Sequence, residues 1–312
     1  MDGVISLIKP PGITSHDAIG ICRRILKERR IGHSGTLDPL AYGVLPIFVG
    51  KATRAIEYTE SIGKTYVAEC KFGVETDTED STGNVLRTMD ISEPPSWDEL
   101  EQVVRSFQGS IEQRPSKYSA IKINGQRAYD LARAGMEFEL PSRLIQIYDI
   151  ELLAYAFPFF TIRVRCSAGT YVRALLRDIC QQLGMCGMMT QLCRTVVGQC
   201  NIEQSVTIEE LETLVEQAVQ PVDTLLMHLP AVYINDINRT RLVQGKQVPI
   251  HTVKPHGTFC VSLDEIPVDT LVRAYDANGF MSILRRLDDT LKVEKIYTYD
   301  VSIEMVRTLM GT

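Results

Sequence analysis

The densest group of residues able to do chemistry is the loop from Gly32 to Pro39, which reads Gly-His-Ser-Gly-Thr-Leu-Asp-Pro. Its two glycines allow close backbone approach or positive φ angles. Asp38 precedes a proline, which favours an extended backbone, and a lone aspartate there is most often a turn residue. Basic residues nevertheless flank it, at Arg29, Arg30, Lys51 and Arg54. A carboxylate in a basic site does not suit phosphate binding, so Asp38 is a candidate nucleophile or ion-pair partner toward a sugar or base.

Several common catalytic patterns are absent from the sequence. It contains no Gly-x-x-x-x-Gly-Lys-Ser/Thr, no Gly-x-Gly-x-x-Gly and no Gly-x-Ser-x-Gly. His33 and Ser34 are adjacent, but neighbouring side chains rarely face each other usefully. No pair among the eight cysteines has Cys-x-x-Cys spacing, and the five histidines form no zinc pattern with them. We therefore expect no metal, no cofactor, and buried, reduced thiols.

Charge is distributed unevenly along the chain. The net charge is −6, from 33 basic and 39 acidic residues. Residues 20–54 carry seven basic residues against two acidic ones, and residues 160–200 carry five against one. Residues 69–101 carry ten acidic residues against two basic ones. Two basic segments in an acidic chain could direct a polyanion to one face, although solvated helix faces explain the same pattern equally well.

Length and composition indicate a globular protein. The chain has 312 residues, 45% hydrophobic and 23% charged, which is typical of a soluble protein of about two domains. We see no secretory signal and no apolar run long enough to cross a membrane, so we expect a cytoplasmic protein without membrane contact.

The predicted elements place the Asp38 loop between a helix and an apolar segment. Thr14-x-x-Asp17 is a capping box that predicts a helix, residues 31–40 are predicted to be a loop, and residues 41–48 are apolar. A second capping box at Thr207 predicts a helix that continues to Val219. Further strands are predicted at 65–72, 144–156 and 159–166, and further helices at 96–109, 128–133 and 169–184. Because strands and helices interleave irregularly, the expected fold class is α+β, with a mainly antiparallel mixed sheet flanked by helices.

Taken in order, these motifs resemble the signature of the TruB family of tRNA pseudouridine-55 synthases, of the bacterial stand-alone type. The Asp38 loop and the residues after it, 32–54, resemble the central family motif. Lys9–Ser15 resembles the N-terminal motif, and Lys64-Thr65-Tyr66 the Lys-x-Tyr strand. Matches also occur at 115–129 for the inserted RNA-gripping segment, 166–173 for the third core motif and 192–194 for the Leu-x-Arg element. Each piece is short, but the ordered set is specific.

The resemblance implies a fold and an activity. It implies a pseudouridine-synthase fold in residues 1–225, with an RNA-gripping insertion at about 113–142, followed by a small β-rich, PUA-like RNA-binding domain in residues 226–312. The implied enzyme is an isomerase that converts uridine 55 in the T-loop of tRNA to pseudouridine by flipping the base. Its implied partner is the T-arm stem-loop of tRNA, with no guide RNA and no cofactor, and we expect a monomer.

The resemblance also implies roles for particular residues. Asp38 would be the essential carboxylate that acts on the flipped uridine, and Arg173 its ion-pair partner, which favours the ionised carboxylate. Tyr66 would stack on the uracil and take part in removing the C5 proton, and Leu192 would cover the other face. His33 would hold the nucleotide out of its stack. The other implied substrate-binding residues are Lys9, Gly35, Thr36, Lys64, Tyr171 and Arg194.

Other interpretations remain open at this stage. Without the resemblance, Arg173 is by default a structural ion-pair partner, Tyr66 and Leu192 are packing residues, and His33 is a turn residue. A guide-RNA-dependent synthase is disfavoured by the inserted segment and by the absence of a lysine-rich tail. An RNA chaperone role is compatible with catalysis beside it. A glycosidase-like hydrolase would need a second carboxylate about 5–10 Å from Asp38, and none stands out.

Overall fold

The computed structural model describes residues 1–119, 121–123, 125–257 and 263–297. The helices in these residues are α1 (Ser15–Leu26), α2 (Trp97–Ser106), α3 (Ala128–Arg133), α4 (Val172–Gln182), α5 (Ile208–Leu214) and α6 (Asp236–Val243). The strands are β1 (Gly3–Lys9), β2 (Ile31–His33), β3 (Tyr42–Val49), β4 (Lys64–Phe72), β5 (Val74–Thr76), β6 (Val85–Thr88), β7 (Gly109–Gln113), β8 (Lys122–Ile123), β9 (Gln126–Arg127), β10 (Arg143–Ala156), β11 (Phe159–Cys166), β12 (Gly187–Val197), β13 (Cys200–Asn201), β14 (Ala231–Tyr233), β15 (Val248–Pro249), β16 (Lys254–Pro255), β17 (Leu271–Asp276), β18 (Gly279–Arg286) and β19 (Thr290–Ile296).

A nine-stranded sheet forms the larger part of the protein. Its order is β1-β3-β12-β4-β11-β10-β7, with β2 paired to β3 and β13 paired to β12. Strand β12 runs parallel to β3 and antiparallel to β4, so it joins two antiparallel groups of strands. This arrangement confirms the predicted α+β class with a mainly antiparallel mixed sheet.

The helices bury their apolar sides in one core with this sheet. Helix α1 begins at the predicted capping box, in which the Thr14 hydroxyl accepts from the Asp17 main-chain N–H and the Asp17 carboxylate accepts from the Thr14 N–H. Such a cap is worth about 1 kcal/mol. The core unites α1, α2, α4 and α5 with the sheet through residues such as Cys22, Leu100 and Leu176. The helices therefore fix the strand ends that carry the candidate site.

The structure differs from the predicted elements in several places. Residues Ile31–His33, predicted to be loop, pair with β3 as strand β2. The helix that begins after Thr207 ends at Leu214, because Val215 has a φ of 40° that an α-helix excludes. Strand β12 and helix α6 were not predicted. The sequence also contains a short strand-like run at residues 258–261, which lies outside the described residues.

A six-stranded sheet, of order β15-β19-β18-β17-β14-β16, forms a β-rich domain at the C-terminal side. It shares an apolar cluster with the first sheet, in which Leu226 and Ile283 pack together with Phe48 and neighbouring residues. Beside this cluster the Tyr275 hydroxyl donates to the Asp223 carboxylate. A buried apolar cluster therefore connects the two sheets, and a partly buried hydrogen bond lies beside it.

This junction makes Leu226 a stability determinant, since its side chain is fully buried in the shared cluster. We expect Leu226→Ala to lower the free energy of unfolding by about 2–5 kcal/mol, because the deletion leaves a cavity. Ile237→Ala is the control, since Ile237 is 74% exposed and its loss should change stability by less than about 0.5 kcal/mol. Urea unfolding followed by circular dichroism measures both, and equal losses for the two variants would contradict a buried junction.

Candidate active site

The loop that carries Asp38 runs from β2 to β3 and is held on both sides of the aspartate. The main-chain N–H of Leu37 donates to the Ser15 hydroxyl at 2.9 Å, where α1 begins. The carbonyl oxygen of Pro39 accepts from the Gly12 N–H at 2.8 Å, in the turn after β1. Asp38 thus lies between two anchored neighbours.

Arg173, in the first turn of α4, forms an ion pair with Asp38, and its Nε lies 3.0 Å from Asp38 Oδ2. The Arg173 side chain is 5% exposed and that of Asp38 is 37% exposed. The remaining nitrogens of the guanidinium donate to the carbonyl oxygens of Thr78 at 2.8 Å and Tyr118 at 2.9 Å. Asp80 Oδ2 lies 3.8 Å from Nη1. A covered cation therefore orients a carboxylate that stays accessible.

Arg194 on β12 is fully buried. Its Nε donates to the Val44 carbonyl at 2.7 Å, and its Nη2 donates to the Gly35 carbonyl at 2.9 Å. Gly43 lies opposite Arg194 in the pairing of β3 with β12, and a Cβ on Gly43 would stand 2.3 Å from the Arg194 carbonyl oxygen. Glycine is required where the strands approach so closely. Arg194 therefore ties the loop to the sheet.

Lys9, at the end of β1, is also fully buried. Its Nζ donates to the carbonyl oxygens of Pro10 and Ile13, each at 2.8 Å, and lies 3.5 Å from that of Pro39. Burial lowers the pKa of Lys9 to about 8, against the opposing effect of Asp38. The ammonium group thus holds the loop that follows Asp38.

Strand β4 supplies Lys64 and Tyr66. Tyr66 lies directly opposite Arg194, and Leu192 lies two residues before Arg194 on the same face of β12. Tyr66 is 8% exposed and Leu192 is 6% exposed. Burial raises the pKa of Tyr66, so its hydroxyl is neutral at physiological pH. Burial, together with repulsion by Arg194, lowers the pKa of Lys64.

The other predicted residues lie around this centre. His33 ends β2, its buried Nδ1 has no hydrogen-bond partner among the described residues, and burial lowers its pKa. Its imidazole is therefore neutral near pH 7. Gly35 and Thr36 are exposed on the loop. Tyr171 immediately precedes α4, and the guanidinium carbon of Arg143 lies 4.6 Å from the centre of its ring.

Two polar residues of this region were not predicted from the sequence. Asp80 is buried, and it accepts from the main-chain N–H of Thr82 at 2.9 Å besides facing Arg173. Gln113 is also buried, and its side chain binds both the N–H and the carbonyl of Tyr171. Asp80 lies in the acidic segment 69–101, where nothing in the sequence distinguishes a buried acid from a solvated one.

Comparison with known proteins identifies the family. The model of the TruB family pseudouridylate synthase N-terminal domain matches residues 23–172, and that of the tRNA pseudouridylate synthase B C-terminal domain matches residues 173–228. The chain is 39% identical over 306 residues to tRNA pseudouridine synthase B of Dehalococcoides mccartyi, covering 95% of this chain and 97% of that protein. The chain belongs to the TruB family. It is thus a pseudouridine synthase, an isomerase.

Further TruB relatives and solved structures agree with this assignment. A tRNA pseudouridine synthase B from Streptococcus mutans is 35% identical, covering 95% of this chain and 99% of that protein. A crystal structure of a Cbf5-Nop10-Gar1 complex matches with a TM-score of 0.74 and 27% identity, covering 95% of this chain and 85% of that one. An H/ACA RNP bound to a substrate RNA containing 2'-deoxyuridine matches with a TM-score of 0.72 and 26% identity, with the same coverage. The predicted pseudouridine-synthase fold is confirmed.

The described part of the TruB chain shows no cluster of three or more His, Cys, Asp or Glu side chains that could hold a metal ion. The seven cysteines within it are free and buried. None of the helices in the same residues is long and apolar enough to cross a membrane.

The lowered pKa of Lys9 predicts a pH-dependent contribution to stability. The folded-state pKa of about 8 lies below the ordinary lysine value of 10.5. Between these values the unfolded chain binds more protons, so the wild-type protein should gain stability relative to Lys9→Met as the pH rises through this range. Urea unfolding of both proteins from neutral pH to about pH 10 measures the difference. Lys246→Met, at an exposed lysine, should show no such trend, and a flat difference for Lys9→Met would refute the lowered pKa.

Proposed function

We propose that this TruB protein converts uridine 55 in the T-loop of tRNA to pseudouridine. Its relatives are named tRNA pseudouridine synthase B, which supports tRNA as the substrate. The observation that carries the proposal is the 3.0 Å contact between the accessible Asp38 carboxylate and the covered Arg173 guanidinium. The reaction breaks the N1–C1′ bond, rotates the base and forms a C5–C1′ bond. It needs no net water and no redox step.

In this proposal Asp38 acts on a uridine flipped out of the RNA stack. The carboxylate is accessible enough to meet a ligand, and Arg173 holds it by one edge of the guanidinium while main-chain carbonyls bind the other nitrogens. The geometry is compatible with attack of Asp38 on C1′, with attack on C6 of the ring, and with assistance to departure of the base. In each case Arg173 holds the carboxylate directed at the substrate.

The uracil would lie against Tyr66 and Leu192. Both side chains share one face at the β4–β12 pairing. Stacking of a base on an aromatic ring is worth about 1–3 kcal/mol, which offsets the few kcal/mol that flipping costs. A neutral Tyr66 hydroxyl is not itself a base for the C5 proton, so in this proposal Tyr66 acts by stacking on the uracil. His33, with its neutral imidazole on the loop, holds the flipped nucleotide out of its stack.

The remaining substrate-binding assignments divide by burial. Lys9 and Arg194 are fully buried with their charged groups on main-chain carbonyls, so we replace their predicted RNA contact with a positioning role toward the Asp38 loop. Direct contact with RNA remains proposed for the less buried set, namely Gly35, Thr36, Lys64 and Tyr171.

Further parts of the proposal concern partners and domains. We propose a catalytic domain at residues 1–225, a PUA-like RNA-binding domain at 226–312, and an insertion at about 113–142 that grips the T-arm stem-loop. In the insertion, Arg127 and Arg133 both stack on Tyr129, at 5.8 and 5.7 Å from the ring centre, and such arginines suit an RNA backbone.

We propose a cytoplasmic monomer that needs no cofactor, with a tRNA folding role compatible with catalysis.

A guide-RNA-dependent synthase is the second candidate, because the similar solved structures are of Cbf5 and H/ACA complexes. The higher identity to tRNA pseudouridine synthase B, 39% against 27%, favours the first candidate.

One experiment separates these two candidates. Purified protein is incubated with unmodified tRNA transcript in buffer alone, and pseudouridine is mapped by carbodiimide-dependent primer extension. We expect a stop at uridine 55 without guide RNA or added cofactor. A product that forms only after guide RNA and further proteins are added would support the second candidate.

The Asp38–Arg173 pair yields a kinetic prediction. Asp38→Asn should abolish turnover and leave tRNA binding within a few fold, because it removes the charge but keeps the size. Arg173→Lys should lower the single-turnover rate by about a hundredfold, about 3 kcal/mol, because lysine lacks the planar fork. The double variant should be little worse than Asp38→Asn alone, since the pair acts as a unit.

Thermal melts distinguish this prediction from a structural role. If the pair were structural only, both variants would melt at lower temperature and keep the wild-type rate in the folded fraction. Arg163→Lys is the control, because Arg163 forms an exposed ion pair with Glu151, and it should change neither the rate nor the melting temperature.

A further inference from the structure

Arg143 begins β10 close to the site, and no role described so far accounts for it. It lies opposite Gln113, the last residue of β7, so the two residues stand at the base of the insertion. Its guanidinium carbon is 4.6 Å from the centre of the Tyr171 ring. A Cβ added to Gly169 would stand 3.4 Å from Arg143 Nη1. The guanidinium therefore lies between the base of the insertion and the turn that leads into α4.

Two nitrogens of Arg143 lack acceptors. Nε and Nη2 are buried and have no hydrogen-bond partner among the described residues. An arginine cannot lose its charge near neutral pH, so these donors cannot avoid the penalty of burial by deprotonation. Unsatisfied buried donors are rare in folded proteins and need an explanation. An acceptor that is present only in the working complex is the simplest one.

The surroundings favour an anionic acceptor. Arg173 and Arg177, both on α4, are paired with carboxylates. The first turn of α4 carries no acidic residue, and Tyr171, at its N-cap position, makes no side-chain cap. No carboxylate of this turn competes for Arg143, and the positive end of the helix attracts anions. A planar guanidinium matches the two oxygens of a phosphate group.

We propose that Arg143 binds a backbone phosphate of the RNA strand that carries the target uridine, with the Tyr171 ring as its flat support. Tyr171 lies two residues before Arg173, which holds Asp38, so the phosphate belongs close to the reacting nucleotide. Nε and Nη2 are buried in the free protein. In this proposal, RNA binding therefore moves some of the surrounding protein atoms away from these two nitrogens. The inference rests on the proposed function, since it takes RNA as the substrate.

The test is the salt dependence of tRNA binding by Arg143→Gln, measured by filter binding over a range of salt concentrations. Loss of one phosphate contact should make the slope of log K against log salt shallower by about 0.7–0.9. The dissociation constant at low salt should rise about tenfold, since a charge-assisted pair is lost. The melting temperature should stay the same or rise, because the variant removes two buried donors that have no acceptor among the described residues. Arg143→Lys should keep the wild-type salt slope, because it keeps the charge, and should bind tRNA more weakly, because it loses the planar guanidinium. This second variant tests the inference if Arg143→Gln does not fold.

A matched control exists on β11, where Arg165 also stacks on a tyrosine, 5.5 Å from the Tyr148 ring centre. Arg165→Gln should leave the salt slope unchanged. If Arg143 only supports Tyr171, Arg143→Gln will melt at lower temperature with the wild-type slope, which overturns the inference. A wild-type protein that forms no pseudouridine in tRNA would overturn the proposed function instead. If the wild-type protein is active but Arg143→Gln binds tRNA with the wild-type affinity and salt slope, only the inference about Arg143 is overturned.

Discussion

The covered guanidinium of Arg173 is the constraint around which the site is built. Removing a charge from water costs several kcal/mol unless partners replace the lost hydration. Here the partners come from separate parts of the chain: Asp38 before β3, Thr78 and Asp80 after β5, and Tyr118 after β7. Because a single side chain must satisfy all of them, the segments that supply them are held in one arrangement. The direction of the Asp38 carboxylate follows from that arrangement.

Two further buried cations support the same loop from the side of the sheet. Arg194 binds carbonyl oxygens on both sides of Asp38 in the sequence, and Lys9 binds those of the turn after β1. The parallel pairing of β12 with β3 brings Arg194 into place, and Gly43 allows the close approach. Cations thus surround one accessible carboxylate in a chain whose net charge is −6. Such a local excess can attract a polyanion, although salt limits its reach to about 8–10 Å.

The C-terminal β-rich domain is joined to the first sheet by a shared core and not only by the connecting chain. Leu226 and Ile283 bury their side chains against Phe48 of β3, the strand that follows the Asp38 loop. Asp223 and Tyr275 add a partly buried hydrogen bond at the same junction. An RNA contact made by this domain would therefore be made at a defined distance from Asp38, which a flexible linker would not ensure.

Local chemistry in the sequence was enough to predict much of this protein. Capping boxes at Thr14 and Thr207 predict where α1 and α5 begin, because the capping side chain and the N–H group it binds are only three residues apart. Alternating apolar residues likewise predict β4, β10 and β11. The residue types around Asp38 singled out the loop, and the ordered motifs indicated the TruB family.

The tertiary structure alone decided how these parts meet. Strand β12 was not predicted for two reasons. Bulges beside Gln191 and Arg194 interrupt the alternation of apolar and polar residues. The strand also buries the charged Arg194, whose hydrogen-bond acceptors lie on strand β3 and the loop before it. The burial of Asp80 and Lys9 has the same origin, since their partners are distant in sequence or depend on how the loops fold. A sequence determines which groups can do chemistry and where local elements begin. Which charges of the site are covered, and that the Asp38 carboxylate stays open to a substrate, depends on contacts between segments that no local pattern encodes.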